Sequence, residues 1–453
     1  MKDQKVPDFQ VGGPKATYVM VICSLLFMVN YMDRQIMAAV LQPMKIDLGL
    51  TDFEAGLANT MFYLGVLIFV VPVAHWIDKW SRKKMIGLMA FCWSAFTMFT
   101  GLSGSFLQLL FARFGVGLGE SGFGAGGTAL IAASYPEEKR ASKIGIFNTF
   151  ITVGILFGMV AGGYVSVHFG GWRTAFYVFA LPGIILGILA FFMQDYKLPK
   201  NANAPAGGHS FAKNVKSLFG NRSLRLIYIG YGLFAVVIFS YLTWLPALLM
   251  RAYGINEAKA GLVAGALSLL TLIGPILGGL FADRWQSKSS GGRMKLAAVG
   301  ILASSVALWF AFTTVFNINH KGMMIFSFIM LCIYGIVSGM PNPAVMASTQ
   351  DVVPPEQKGL ASGAAYFCMM LFGGAFGPAM VGKLSDVFGG GYKGLTYGLY
   401  VASLFGVAAA IVWWKAAKRV GTHMEEEKTS SLKAKTLAGH VHTDPMKGEE
   451  CGA

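Results

Sequence analysis

The segment Ala74-His75-Trp76-Ile77-Asp78-Lys79-Trp80-Ser81-Arg82-Lys83-Lys84 closes the second long apolar run of the chain, and Gly279-Leu280-Phe281-Ala282-Asp283-Arg284 closes the eighth. Each copy ends its run on an aspartate followed by a base. A second pair of segments repeats in the same way. Ala132-Ala133-Ser134-Tyr135-Pro136-Glu137-Glu138-Lys139-Arg140-Ala141-Ser142 follows the fourth run. Ala347-Ser348-Thr349-Gln350-Asp351-Val352-Val353-Pro354-Pro355-Glu356-Gln357-Lys358-Gly359-Leu360-Ala361-Ser362 follows the tenth. Matching loops at matching places in two halves are the pattern of a transporter whose halves rock about a central site. A channel would need a filter-like loop, and none is visible.

Composition agrees with that pattern. The 453 residues are 55% hydrophobic and only 13% charged, with a mean hydropathy of +0.57, whereas a soluble domain carries about 25% charged residues. The chain is therefore expected to be an all-α membrane protein. Twelve apolar segments approach the ~20 residues that a ~30 Å hydrocarbon layer requires. They lie at 17–40, 53–77, 84–103, 106–133, 143–167, 172–193, 224–250, 258–281, 295–315, 322–349, 358–381 and 394–416. The longest gap divides them six and six, which predicts an N-terminal six-helix bundle over 1–193, a loop or surface helix over 194–223, a C-terminal bundle over 224–416 and a disordered tail over 417–453.

The net charge of +15 does not mark a nucleic-acid partner, because the bases sit between apolar runs and in the tails. With both termini on one side, that side holds 21 Lys or Arg outside the C-terminal tail and the opposite side holds 7. This bias predicts cytoplasmic termini. Residues 1–15 are short and polar ahead of a full-length span, so no cleavable signal peptide is read. The five cysteines (Cys23, Cys92, Cys332, Cys368 and Cys451) have no paired spacing.

The first span carries Asn30-Tyr31-Met32-Asp33-Arg34. A charge at membrane depth is expensive unless it faces a partner or a wet cavity. At 1.5 Å per residue Asp33 lies roughly 24 Å along the span from its cytoplasmic end, while Arg113 and Glu120 lie roughly 10 and 21 Å from the outer end of the fourth. Arg113 and Glu120, seven apart, share a helix face. An Arg34–Glu120 pair with Arg113–Asp33 beside it would satisfy four charges. Asp33 and Glu120 are the expected proton carriers, and Arg34 and Arg113 the expected seat of an anionic head group. No metal cluster, catalytic nucleophile or cofactor loop stands out, so neither an enzyme nor a cofactor is expected.

Over almost its whole length the chain resembles the major facilitator superfamily, through the Asp78 loop and its echo at Asp283. Within it, Asn30-Tyr31-Met32-Asp33-Arg34 together with Arg113-Phe114-Gly115-Val116-Gly117-Leu118-Gly119-Glu120 resembles the spinster-like branch. That resemblance implies transport of lysolipids or sphingolipid-like lipids; the first motif is shared with anion and sugar-acid transporters. Three positions depart from the pattern: Ala74, Ser121 and Met159 stand where a glycine, another small residue and a proline are usual. The last weakens an antiporter reading taken from that motif.

The C-terminal half lacks such charges. Its seventh span has Tyr228, Tyr231, Ser240, Tyr241, Thr243 and Trp244, and its tenth has Tyr334, Ser338 and Asn342. Tyr31, Tyr228, Tyr231, Tyr241, Trp244 and Asn342 are the expected cavity wall, suited to the apolar body of an amphipathic anion. Asp78, Arg82, Lys83, Asp283 and Arg284 are the expected conformational gate. His75, near the interface, more simply finds a hydrogen bond than senses pH. The glycines of spans 4, 5 and 11 allow close helix approach. The expectation is a monomeric, proton-coupled, alternating-access transporter of a lipid-like anion in a bacterial inner membrane. The alternatives are a transporter of small organic or sugar acids and a non-transporting receptor or scaffold.

Overall fold

A computed structural model describes residues 10–195, 211–315 and 321–441. The described chain is helical throughout. Its elements are α1 (Gly13–Ala39), α2 (Leu41–Asp47), α3 (Asp52–Lys79), α4 (Arg82–Leu102), α5 (Phe106–Glu120), α6 (Phe123–Ser134), α7 (Glu137–His168), α8 (Trp172–Ala190) and α9 (Phe211–Gly220). They continue with α10 (Arg222–Tyr253), α11 (Glu257–Leu270), α12 (Ile273–Lys288), α13 (Gly292–Val315), α14 (Lys321–Ser338), α15 (Pro341–Asp351), α16 (Lys358–Cys368), α17 (Gly377–Val387) and α18 (Gly391–Val441). Apolar helices are the way a chain satisfies its own N–H and C=O groups in hydrocarbon. Eleven stretches among the described residues are long and apolar enough to cross a membrane, and the molecule is an all-α, multi-pass membrane protein.

The span expected at 106–133 is not one of the eleven. It is divided into α5 and α6 by a turn at Ser121-Gly122, where the Ser121 hydroxyl donates to the Leu118 carbonyl at 2.8 Å. A hydroxyl that bonds back into the preceding turn competes with the helix ladder. The same chemistry marks two further breaks. Thr271 donates to Ser268 O at 2.6 Å between α11 and α12, and Ser338 donates to Gly335 O at 3.2 Å between α14 and α15. The stretch expected as one helix at 358–381 contains a π-helical segment, Met369–Phe376, between α16 and α17. The last helix continues to Val441, so the part of the expected disordered tail up to that residue is helical; the rest lies outside the described residues, as does 196–210 of the central loop.

Two faces of the molecule are recognisable. One carries the described chain ends: Gly12 N donates to Ser134 O at 2.9 Å, Gln10 N to the Gln194 side chain at 3.1 Å, and Gly421 packs on Ser290. The opposite, far face carries α2 and the starts of α3, α8, α11 and α18. Here Asp47 pairs with Arg173 and accepts from Trp172 Nε1 at 3.2 Å. These hydrogen bonds, Arg173's first, hold the Asp47 carboxyl below the ordinary carboxylate range.

Helices α7 and α11 cross near the far face, and so do α3 and α17. A Cβ on Gly261 would stand 2.2 Å from Met159 O, and one on Gly117 2.0 Å from Phe62 O, so only glycine permits the α7–α11 and α3–α5 contacts as built. A Cβ on Gly145 of α7, or on Gly359 or Gly363 of α16, would meet nothing within 4 Å.

Candidate functional site

Four ionisable residues, Asp33, Arg113 and Glu120 buried and Arg34 nearly so, meet between the last third of α1 and the second half of α5. Successive residues on a helix point about 100° apart, so Asp33 and Arg34 leave α1 in different directions. Arg34 Nε donates to Glu120 Oε2 at 2.7 Å, and Arg34 Nη2 reaches one turn back to Asn30 Oδ1 at 3.1 Å. Asp33 turns toward α4, where Thr97 donates its hydroxyl to Oδ2 at 3.0 Å. The other oxygen, Oδ1, has no hydrogen-bond partner.

Arg113 is the unusual member of the group. It is 1% exposed, and its Nε and Nη2 have no hydrogen-bond partner. Its guanidinium lies 5.0 Å from the centre of the Phe62 ring, and that of Arg34 lies 5.1 Å from the same ring and 4.6 Å from Tyr31. Aromatic faces attract cations without neutralising them. The expected contact of Arg113 with Asp33 is absent among the described residues, where no ion pair joins the two and Thr97 is the group that bonds Asp33. Sequence reading passed over Thr97, although Ser94 and Thr97, three apart and both buried in an apolar span, were a signal for it.

The expected C-terminal wall proves mixed. Tyr231 donates to Asn342 Oδ1 at 2.7 Å, joining α10 to α15. Its ring lies 6.4 Å from that of half-exposed Tyr366 on α16, a residue not anticipated. The helix that carries Tyr31, α1, packs against α10. Tyr228 donates to Ala361 O and Trp244 to Pro378 O, each at 3.0 Å and each buried, so these two fasten helices together. Tyr241 packs on Tyr334 with ring centres 4.4 Å apart. An aromatic group that was not expected stands on the N-terminal side: Phe27 stacks on Phe147 at 4.3 Å and meets Tyr31 edge-on at 5.4 Å.

The expected gate residues lie apart from this site, on the chain-end face. Asp283 accepts from Arg293 at 2.8 and 3.0 Å, and Arg293 also donates to Asp351 at 2.6 Å. These contacts stay within the C-terminal helices. Arg284 and His75 are exposed, Arg82 is buried, and Lys83 lines a cleft with Lys15, Tyr18 and Asp195. The side chain of Asp78 lies outside the described residues. Among the described residues no cluster of three His, Cys, Asp or Glu side chains could hold a metal ion.

Comparison with known proteins places these observations. The family model described as Major Facilitator Superfamily matches residues 23–378 and 249–446. The chain is 26% identical over 442 residues to the protein named "Probable galactarate/D-glucarate transporter GudP" of Escherichia coli, covering 89% of this chain and 94% of that one. It is 26% identical over 387 residues to the sphingosine-1-phosphate transporter SPNS2 of Xenopus tropicalis, covering 81% and 73%. Its fold resembles that of a solved bacterial homolog to the human lysosomal transporter spinster, in an inward-facing and unoccupied conformation. That likeness has a TM-score of 0.79 at 23% identity and covers 91% of this chain and 98% of the other.

Proposed function

The chain belongs to the major facilitator superfamily and is a secondary-active transporter, and from that premise we propose that it carries an amphipathic anion together with a proton by alternating access. The observation that carries this reading is Arg113: a buried guanidinium with two unpartnered N–H groups and no ion-pair partner is a seat for an anion. The charge count gives the coupling. Arg34 and Glu120 cancel each other. With Asp33 ionised, Arg113 is balanced as well; with Asp33 protonated, the site has one net positive charge. Proton and anion therefore favour each other's binding, and by linkage the effect is reciprocal, typically about 1–3 kcal/mol. Each carboxylate has one unpartnered oxygen, but Asp33 is held by the neutral Thr97 hydroxyl and exchanges the proton, whereas Glu120 is ion-paired to Arg34.

The lipid-like character of the substrate is supported by the Tyr366–Tyr231 contact, which leads from the surface toward Tyr31 and Arg34, and by the likeness to the sphingosine-1-phosphate transporter. A small sugar acid is the second reading. It is favoured by the hydroxyl–amide pair of Tyr231 and Asn342 and by the likeness to the galactarate/D-glucarate transporter.

In the proposed architecture α5 and α6 together form the fourth of twelve spans, and two six-helix bundles cover residues 1–193 and 224–416. In the same proposal the chain-end face is cytoplasmic, the membrane is a bacterial inner membrane and the functional unit is a monomer.

The test is thermal stabilisation of the purified protein in lipid nanodiscs by lysophospholipids, phosphorylated sphingoid bases and small sugar acids, at acidic and alkaline pH. Lipid anions should stabilise the protein more at acidic pH. The effect should vanish in Arg113→Ala and lose its pH dependence in Asp33→Asn. Stabilisation by small acids alone, lost in Arg113→Ala, would overturn the lipid reading. Equal stabilisation at both pH values would overturn the coupling.

A further inference from the structure

The far face is held by a second buried charge cluster, distinct from the central one. Asp52, the first residue of α3, is 0% exposed. Arg251, in the last turn of α10, donates to its two oxygens from Nη2 and Nη1 at 2.6 and 2.8 Å. Ser385 of α17 donates to Asp52 Oδ2 at 2.6 Å, and Lys45 of α2 pairs with Oδ1. Arg251 Nε also donates to Gln42 Oε1 at 2.7 Å, and its Nη1 to Gly391 O at 3.3 Å. Asp386 completes the group by accepting from the backbone N–H of Asp52 and Phe53 at 3.0 and 2.8 Å. A carboxylate from α17 thus caps the N-terminus of α3, where the helix dipole is positive.

Elements from the two ends of the chain converge on this one carboxylate. Gln42, Lys45 and Asp52 belong to the N-terminal helices, and Arg251, Ser385 and Asp386 to the C-terminal helices. Two bases and two acids balance. The fit is close: a Cβ on Gly382 would stand 2.2 Å from Asp52 O. On the other flank Ser166 of α7 donates to Glu257 of α11 at 2.9 Å. Separation of α3 from α10 and α17 would leave Asp52 without Arg251 and Ser385, and the α3 terminus without Asp386.

We propose that the Asp52–Arg251–Ser385–Asp386 cluster is the latch of the far face, which must release for the transporter to open to that side. The proposal rests on the alternating-access reading. Its test reads accessibility rather than transport, so it can fail independently. In a background without native cysteines, Thr60→Cys reports on the α3–π-helix contact beneath the latch, since Thr60 donates to Ala375 O there. Gly363→Cys reports on the chain-end face. Both are labelled with a membrane-impermeant maleimide, each from its own side.

Weakening the latch by Arg251→Gln should raise the labelling rate at position 60 about tenfold and lower that at 363, because the two openings exclude each other. Ser385→Ala, which removes one hydrogen bond and no charge, should move both rates the same way by about two- to threefold. It provides the test if Arg251→Gln does not fold. Unchanged labelling at 60 in Ser385→Ala, or a rise at both positions, would overturn the proposal. The second outcome would mean that the cluster only stabilises the fold.

Discussion

At the scale of single residues, the central site depends on which group answers each charge. Arg34 answers Glu120, and breaking a buried pair by removing one partner costs about 3–5 kcal/mol because the other is left charged and dry. Arg34→Ala should therefore lower the unfolding temperature steeply. Arg34→Ala combined with Glu120→Gln should restore most of the loss while transport stays abolished. Thr97 is a smaller version of the same case. Hydrogen bonds to charged groups contribute about 1.5–3 kcal/mol, so Thr97→Val should destabilise the protein by about that much. In an Asp33→Asn background the same change should have a much smaller effect, and a double-mutant cycle on thermal unfolding measures the difference. Arg34 was placed opposite Glu120 by depth and helix face alone. Thr97 could not be placed so, because a threonine in an apolar helix is neutral in composition and acquires a role only from what faces it.

At the scale of elements, glycine separates contact from open space. Gly117 abuts Phe62 O, whereas Gly145 abuts nothing. Gly117→Ala should push α5 from α3 and, as an overpacking change, cost about 1–3 kcal/mol or more. Gly145→Ala should be neutral or stabilise by up to about 1 kcal/mol, through helix propensity. Thermal unfolding of the two variants side by side decides the point. The clasp between α2 and α8 makes a pH prediction. Asp47 titrates below the ordinary carboxylate range because Arg173 and Trp172 hydrogen-bond its charged form. Its contribution to stability is present above the ordinary carboxylate pKa and is lost as pH falls through the lowered value. Arg173→Gln should thus flatten the acid limb of the stability profile, and only slightly, since Asp47 is half exposed and screened. Breaks such as Ser121 and the π segment at Met369–Phe376 escape sequence reading for one reason: hydropathy measures the length of an apolar run and not the continuity of its hydrogen-bond ladder.

At the scale of the whole molecule, the proposed orientation rests on the positive-inside bias and is open to a direct test. A fluorescent protein fused after Ala453 should mature and fluoresce in the cytoplasm, and alkaline phosphatase fused at the same place should stay inactive; the reverse pattern would invert the proposed topology. The sequence by itself determined the membrane class, the placement of most spans, and Arg34 and Glu120 as neighbours. These follow from hydropathy, loop charge and helical period, all local along the chain. Only the tertiary structure decided that Arg113 leaves two N–H groups without a hydrogen-bond partner, that Thr97 rather than Arg113 bonds Asp33, and that Tyr228 and Trp244 fasten helices. It alone showed that Asp52 and Arg251, 199 residues apart, meet on the far face. The physical reason is that an ion pair between distant segments leaves no periodic trace in the sequence. Each partner reads as an ordinary charge at the end of an apolar helix until packing buries both and brings them within hydrogen-bond reach.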